Sequence, residues 1–533
     1  MNALVDLWMS PDEHLFHIVQ SDDLVLKQSG EAVWFQLIKN IFQNHQLFHS
    51  IAVRYYRALF LFNQEATTDY KQRKKKQLES EETKQEGRLR LLFDRPTAGN
   101  EKASNLFPTL TLPPTTPLEN ENEIRPGKVP SRFAGRKGKD FFSIYAAFSG
   151  TQAMGMDATA ENVHDNLKAN PSFARACNFT QPTHKCERST DIPSIRKLQQ
   201  FDQIMSENGL WSEAKNKAIT QNFDDKIIVP EKNLVHDTTH HIAFSGFETI
   251  KYTDENGKAC KKSQSHVTKT CSCSDKENCS HTWEQVDEGA GTVVKKHNVF
   301  YWAHKSSVIG FPDQGFPLDA QAMTDAANHD SSSIIPSMTR LQSNFPQVVE
   351  KAVNLLDDSA ADDPKIKKAV KDQFGLDLRC PVNPRRRKTL THKELPKAMA
   401  SLTPTGTLRC LADKEMDYLG VRLNHGYYYG PPRDERHQIS CATCPLKPQC
   451  CHADSTKGRH VIIPFDKLPA ISPEDPPMAK RFKKLMKKRP AVERMIYRLK
   501  CTLGDRYLSK RGNHNYQASL DKAMLVLHLL LRL

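Results

Sequence analysis

The sequence predicts an α/β protein: a helical N-terminal region, then a mixed-sheet α/β core interrupted by a cysteine-containing subdomain. Three observations predict it. Apolar residues recur at helical spacing up to about residue 226, as in "PSIRKLQQFDQIMSENGLWSEAKNKAI". From Ile227 onward, β-branched runs and helical runs follow in the order strand, strand, strand, helix, strand, helix. Later, "CATCPLKPQC" (Cys441–Cys450) gathers thiols at metal-ligand spacing.

Taken in order, residues 1–62 form an N-terminal helical segment, read from "AVWFQLIKNIFQNHQLFHSIAVRYYRALFLF". Residues 63–139 pass from charge runs to the Pro- and Thr-rich "LFPTLTLPPTTPLENENEIRPG" and read as a linker. Residues 140–226 return to short amphipathic helices with Asn and Pro breaks, a module that either binds DNA or only packs. Residues 227–533 hold the α/β domain, with an insertion at about 384–465. Its strands are read from "KIIVPEKNLVHDTTHHIAF", "ETIKYT", "TVVKKHNVFYWAHKSSVIG", "AVNLLDDSAADD" and "LDLRCPVN". Its helices are expected at Ser331–Val349 and Pro364–Phe374.

Composition narrows the partners. The chain has 533 residues, with 76 Lys and Arg against 62 Asp and Glu, a net charge of +14. The excess is clustered at Lys71–Lys76, Arg385–Lys388 and Lys480–Arg489, which favours a polyanion, most simply nucleic acid. No run of apolar residues is long enough to span a bilayer, and the tail "AMLVLHLLLRL" reads as a core helix. The N-terminal stretch lacks a basic region and a cleavage site, so no signal peptide is expected. Thirteen cysteines, an odd count with CxxC and CxC spacings, argue for free thiols and metal ligands.

Three acids stand out. Asp237 interrupts a β-branched strand, where Asp is disfavoured unless it faces solvent, makes an Asx turn or has a task. Asp358 ends the apolar run "AVNLLDD", a usual place for a site residue; Asp357 competes for the role, while Asp362 and Asp363 suit a helix cap better. Glu493 is the lone acid in "KKRPAVERMIYRLK". A helix starting with Pro490 at its first position would put Arg489, Glu493 and Lys500 on one face. Taken alone, Glu493 reads better as a surface ion-pair partner of Arg489 or Lys500, worth about 0.5 kcal/mol. Together, three carboxylates from separate elements can hold two Mg²⁺ ions for phosphodiester cleavage.

These residues carry a family resemblance. Arg489-x3-Glu493-x6-Lys500 resembles the Arg–Glu–Lys part of the Tyr–Arg–Glu–Lys signature of insertion-sequence DDE transposases, which have an RNase H-like fold. "VHDTTH" and "LLDDSAADD" resemble the strands bearing the first and second Asp, and "GFPLDAQAMTDAANHD" the segment between them. Met486 stands where the signature has Tyr, and Ala361 where an aromatic usually follows the second Asp. The resemblance runs from about Phe141 to the end.

The resemblance implies that Asp237, Asp358 and Glu493 are catalytic and bind Mg²⁺ or Mn²⁺. A water would then hydrolyse a strand at the transposon end, and the freed 3′-OH would attack target DNA. Arg489 and Lys500 would hold phosphates, with His304 and Lys305 on a nearby strand facing the DNA. It also implies partners (transposon inverted-repeat ends, target DNA and a second copy on DNA, but no membrane) and a cytoplasmic, nucleoid-associated setting. Two other readings stay open: an RNase H-like nuclease, and a non-catalytic, zinc-stabilised DNA-binding descendant of a transposase.

The cysteines form two groups. Cys410, Cys441, Cys444 and Cys450 suit a structural Zn²⁺, with Cys451 and His452 as rival ligands and an iron–sulfur cluster open on ligand type alone. Cys260, Cys271, Cys273, Cys279 and His281 lie in polar sequence with few apolar residues, so they form either a zinc clip or a disordered loop.

Overall fold

The computed structural model describes residues 32–64, 68, 72, 124–130, 138–180, 190–255, 257–269, 271, 273, 275–296, 299–383, 388–423, 425–433, 438–441, 443–451, 455, 457–504 and 508–533. Most of the expected linker, most of the Lys71–Lys76 and Arg385–Lys388 runs, and His452 lie outside them. The chain divides into two compact units: Met1–Gln221 with Asp521–Leu533, and Asn222–Leu520.

The first unit is helical. It contains α1 (Val33–Gln43), α2 (49–64), α3 (Phe141–Ala153), α4 (Ala160–Ala169), α5 (Pro171–Ala176), α6 (Ile195–Glu207) and α7 (Leu210–Asp224) as far as Gln221. Helix α3 is buried on every side, from Phe141 to Gln152, so it is the core element of this unit. Its start is fixed by Asp140, whose carboxylate accepts from the Ser143 N–H at 2.9 Å. Rings of Phe141, Tyr145, Phe148, Phe201 and Trp211 pack against one another around it. The unit also buries charge. Lys215 pairs with Asp521 at 3.1 Å and Lys522 with Asp202 at 3.3 Å, and Trp211 Nε1 donates to the same Asp202 at 3.1 Å.

The second unit is α/β around one mixed sheet. Its strands are β1 (Asn233–Ile242), β2 (Phe247–Thr253), β3 (Ala259–Ser265), β4 (Val267–Thr268), β5 (Glu284–Gln285), β6 (Gly291–Lys296), β7 (Val299–Phe311), β8 (Phe316–Ala322), β9 (Asn354–Leu356) and β10 (Asp377–Arg379). The main sheet runs β10-β9-β1-β7-β6, and β8 also pairs with β7. Strands β1, β9 and β10 are parallel, whereas β7 is antiparallel to β1, β6 and β8. The parallel steps need crossovers. Helices α8 (Ile334–Asn344) and α9 (Pro346–Lys351) lead to β9, and α10 (Pro364–Phe374) leads to β10. Strand β7 is buried from Trp302 to Phe311, as a central strand covered on both faces should be. Asp363 caps α10 at the Lys365 N–H, with Pro364 in the first turn and Gly375 at φ 74° closing the helix.

Strand β8 was not expected, because "FPLDAQA" carries a Pro and an Asp and lacks β-branched residues. It pairs through a register shift at Ile309/Gly310, where a side chain on Gly310 would place Cβ 2.3 Å from the Phe316 carbonyl oxygen. Between β1 and β6 the chain projects the hairpin β2–β3 and the two-residue ladder β4–β5. After β10 comes a subdomain with two three-stranded sheets: β11 (Leu390–Thr391), β12 (Met399–Leu402) and β13 (Leu408–Cys410), then β14 (Asp417–Arg422), β15 (Gly426–Gly430) and β16 (Val461–Ile463). It has its own core, including Leu402, Leu408, Tyr427, Tyr429 and Ile463.

The chain then forms α11 (Lys480–Met486), α12 (Ala491–Tyr497), a π-helical stretch Arg498–Thr502, and α13 (Asn513–Leu530). Pro490 precedes the first helical residue of α12 rather than occupying it, because the turn 487–490 separates α11 from α12. Helix α13 carries the apolar tail and buries Met524, Leu525 and Val526. Among the described residues, no helix is long and apolar enough to cross a membrane.

Candidate functional site

Strands β1 and β9 bring two of the acids to neighbouring positions. Their last paired residues are Val235 and Leu356, and Asp237 and Asp358 each lie two residues further on. Asp237 stays in β1, opposite Val308 of β7. Its Oδ1 accepts from the Thr238 N–H at 2.8 Å, and its Oδ2 accepts from Arg489 Nη2 at 2.7 Å. Burial pushes its carboxyl up to about 6, against the pull of the Arg489 guanidinium and the Thr238 N–H. Asp358 leaves the strand, and its Oδ1 accepts from the Ala360 N–H at 2.7 Å, capping the turn Ser359–Ala361.

Asp357 points elsewhere. It is buried, and its Oδ2 accepts from His236 Nδ1 at 2.7 Å. Burial alone would lower the His236 pKa, but the facing Asp357 carboxylate raises it above the ordinary value. The other ring nitrogen of His236, Nε2, lies 3.2 Å from Ser333 Oγ. The Ser333 hydroxyl in turn donates to the Asp330 carbonyl at 2.7 Å. Serine, histidine and aspartate here line up as in a hydrolase triad, yet the serine proton goes to a carbonyl and all three groups are buried. The relay holds the end of β9 against β1; it does not activate a nucleophile.

The third acid approaches on α12. Arg489 Nη1 binds Glu493 on the turn it precedes, while Nη2 binds Asp237 on β1, so one guanidinium joins two of the three carboxylates. Buried Val492 and Met495 seat α12, and Met495 Sδ is one of the atoms a side chain on Gly310 would meet. Lys500 lies in the π-helical stretch, not in α12, and its Nζ donates to the His240 carbonyl of β1. Lys305, opposite His240 in the β1–β7 register, is buried. Its ammonium donates to the Asn328 carbonyl at 2.7 Å and pairs with Asp330 at 2.9 Å. His304 is fully buried between Asp287 and Asn513, each at 2.9 Å. Asp287 also accepts from the Gly512 N–H at 2.6 Å and the Ser245 hydroxyl at 2.6 Å. Lys480, Arg481, Lys483, Lys484 and Lys487 are exposed on and just after α11.

The two cysteine groups differ. Cys410, Cys441, Cys444, Cys450 and Cys451 line one cavity of about 20 Å³ with Arg459. Among the described residues, one group of His, Cys, Asp and Glu side chains has its ligating atoms all within 4.8 Å of one another: Cys271, Cys273, Cys279 and His281. Such a Cys₃His set can bind a metal such as zinc. Cys279 is brought down to about 6: desolvation acts upward, but hydrogen bonds from His281, Cys271 and Lys269 outweigh it. Cys260 stands apart, its Sγ 3.8 Å from Asp254 Oδ2. The carboxylates of Asp237, Asp358 and Glu493 do not close into such a group; a guanidinium lies between two of them.

Sequence reasoning missed His236, Ser333 and Asp287. The alternation in "VHDTTHH" does carry a signal, since adjacent strand residues face opposite sides and His236 must turn inward where Asp237 turns outward. A search against protein-family models finds none that matches the chain, and a search of curated proteins finds no match.

Proposed function

We propose that the chain is an insertion-sequence transposase of the DDE type, cleaving DNA ends and joining them to a target with an RNase H-like core in its second unit. The observation that carries this is the meeting of Asp237 and Glu493 on one guanidinium, with Asp358 at the matching step of the adjacent parallel strand. Two acids on one cation, with a third at the adjacent strand end, suit a site for a cation at a phosphodiester. The mixed sheet, with two acids at its parallel step, supports the fold assignment.

Asp237, Asp358 and Glu493 would hold Mg²⁺ or Mn²⁺, which prefer such hard oxygen donors. The fit has an observation behind it, since this spot already holds a cationic group between two carboxylates. Bound there, the ion would supply Lewis-acid activation of the attacking oxygen and charge stabilisation for the leaving one. The chain's own residues do the rest. Arg489 sets the spacing of Asp237 and Glu493, the His236–Asp357 pair fixes the loop that presents Asp358, and Lys500 ties the segment after α12 to β1. The exposed cations of Lys480–Lys487 would collect DNA phosphates beside the acids.

The test is cleavage of a plasmid carrying the gene's own flanking DNA, with Mg²⁺ or Mn²⁺, comparing wild type with Glu493→Gln. Breaks at the element's ends and joining to target, both lost in the variant, are expected. Metal-dependent nicking with no joining would replace the proposal with the nuclease. Binding to the ends without cleavage would replace it with the non-catalytic descendant.

A further inference from the structure

We propose that Cys271, Cys273, Cys279 and His281 hold one Zn²⁺ ion, which serves as the core of the projection between β4 and β5. The distances fit an ion at the centre. Around tetrahedral zinc, with Zn–S of about 2.3 Å and Zn–N of about 2.0 Å, neighbouring ligand atoms stand about 3.5–3.8 Å apart. Cys271 Sγ lies 3.5 Å from Cys279 Sγ, and Cys273 Sγ lies 3.6 Å from His281 Nδ1. All four ligand atoms are within 4.8 Å of one another, a span for a single ion. Three thiols and an imidazole select zinc over the hard cations. Four protein ligands leave no position for water, so the site is structural.

The surroundings are built for it. Asp275 accepts from the N–H groups of Glu277 and Asn278 at 3.1 and 3.2 Å, closing the turn that returns Cys279 to Cys273. Three thiolates on a divalent ion leave one negative charge, and Lys269 answers it. Its Nζ is 3.5 Å from Cys279 Sγ and 2.8 Å from the Cys279 carbonyl, and it packs over the Trp283 ring. Among the described residues, the segment has no apolar core of its own. Strands β4 and β5 have two residues each, and no described residue from 266 to 286 is a buried hydrophobic. A cross-link must stand in for the missing core.

This site does not depend on the proposed reaction, so it is tested without DNA. The full chain is purified without chelator, its metal content measured, and its thiols mapped by alkylation and peptide mass spectrometry before and after chelation. Cys271, Cys273 and Cys279 are expected to be protected until zinc is removed, while Cys260, in the neighbouring β2–β3 hairpin, reacts equally in both states. Equal reactivity of the three thiols with and without zinc would overturn the proposal, as would protection confined to Cys441, Cys444 and Cys450. Iron in place of zinc would overturn the choice of ion. A Cys271→Ser, Cys273→Ser double variant should lose about one zinc per chain relative to wild type, with His281→Asn as the milder variant read the same way; unchanged zinc in both refutes the site.

Discussion

Arg489 matters because a guanidinium is a fork: one nitrogen reaches Asp237 and another Glu493. Lysine carries the same charge at a single point and cannot bridge both. Arg489→Lys is therefore expected to slow end cleavage at least about 10-fold while leaving DNA retention in gel shifts nearly unchanged. Asp237 adds a pH dependence. Its folded value of about 6 lies above the unfolded value of 3.8. Its contribution to stability is thus present below 3.8 and lost as pH rises through about 6. On the proposed function a divalent cation would displace the same proton, so Mn²⁺ affinity should climb about tenfold per unit up to about pH 6 and then level off. Thermal shift at graded Mn²⁺ measures this, and Asp237→Asn should flatten the climb. At this scale sequence reading reaches only local pairs. Arg489–Glu493 is an i, i+4 contact visible in the helical spacing, whereas His236–Asp357 and Arg489–Asp237 join residues 121 and 252 positions apart.

Among elements, legibility follows composition. Strand β1 and helix α10 form inside the runs that predict them, whereas "TVVKKHNVFYWAHKSSVIG" divides into antiparallel β6 and β7, and Ser331–Val349 into a short turn, α8 and α9. What escaped were strands held by register rather than propensity. Strand β8 forms because β7 offers it an edge, and β11 to β16 are two to six residues each, with glycines at bends and bulges. Gly310 is the test of the β7–β8 step. Its absent side chain admits the Phe316 carbonyl and the Met495 sulfur, 2.3 and 2.7 Å from where Cβ would sit. Gly310→Ala should cost about 3 kcal/mol, seen as a lower urea midpoint. Because Met495 is on α12, cleavage should fall further than lost stability explains.

For the whole molecule, charge burial in the first unit is the sharpest lever. Lys215 and Asp521 are almost wholly buried and pair at 3.1 Å. Asp521→Ala would remove a carboxylate from beside a buried ammonium and cost about 3–5 kcal/mol, most of which Lys215→Met in the same chain should restore. Urea unfolding followed by Trp211 fluorescence reads this, with the second unit's transition as the internal control. No sequence pattern foretold this arrangement: the tail reads as apolar, and Asp521 and Lys522 at its head gain meaning only beside Lys215 and Asp202.

The membership of Asp521–Leu533 in the first unit also bears on timing. These residues leave the ribosome only after the whole of Asn222–Leu520 has been made, so in the growing chain Lys215 must wait for Asp521, and Asp202 for Lys522. Of the two units, the one begun earlier is completed later. A polypeptide interrupted anywhere before Asp521 would carry an unfinished first unit, however well its second had folded.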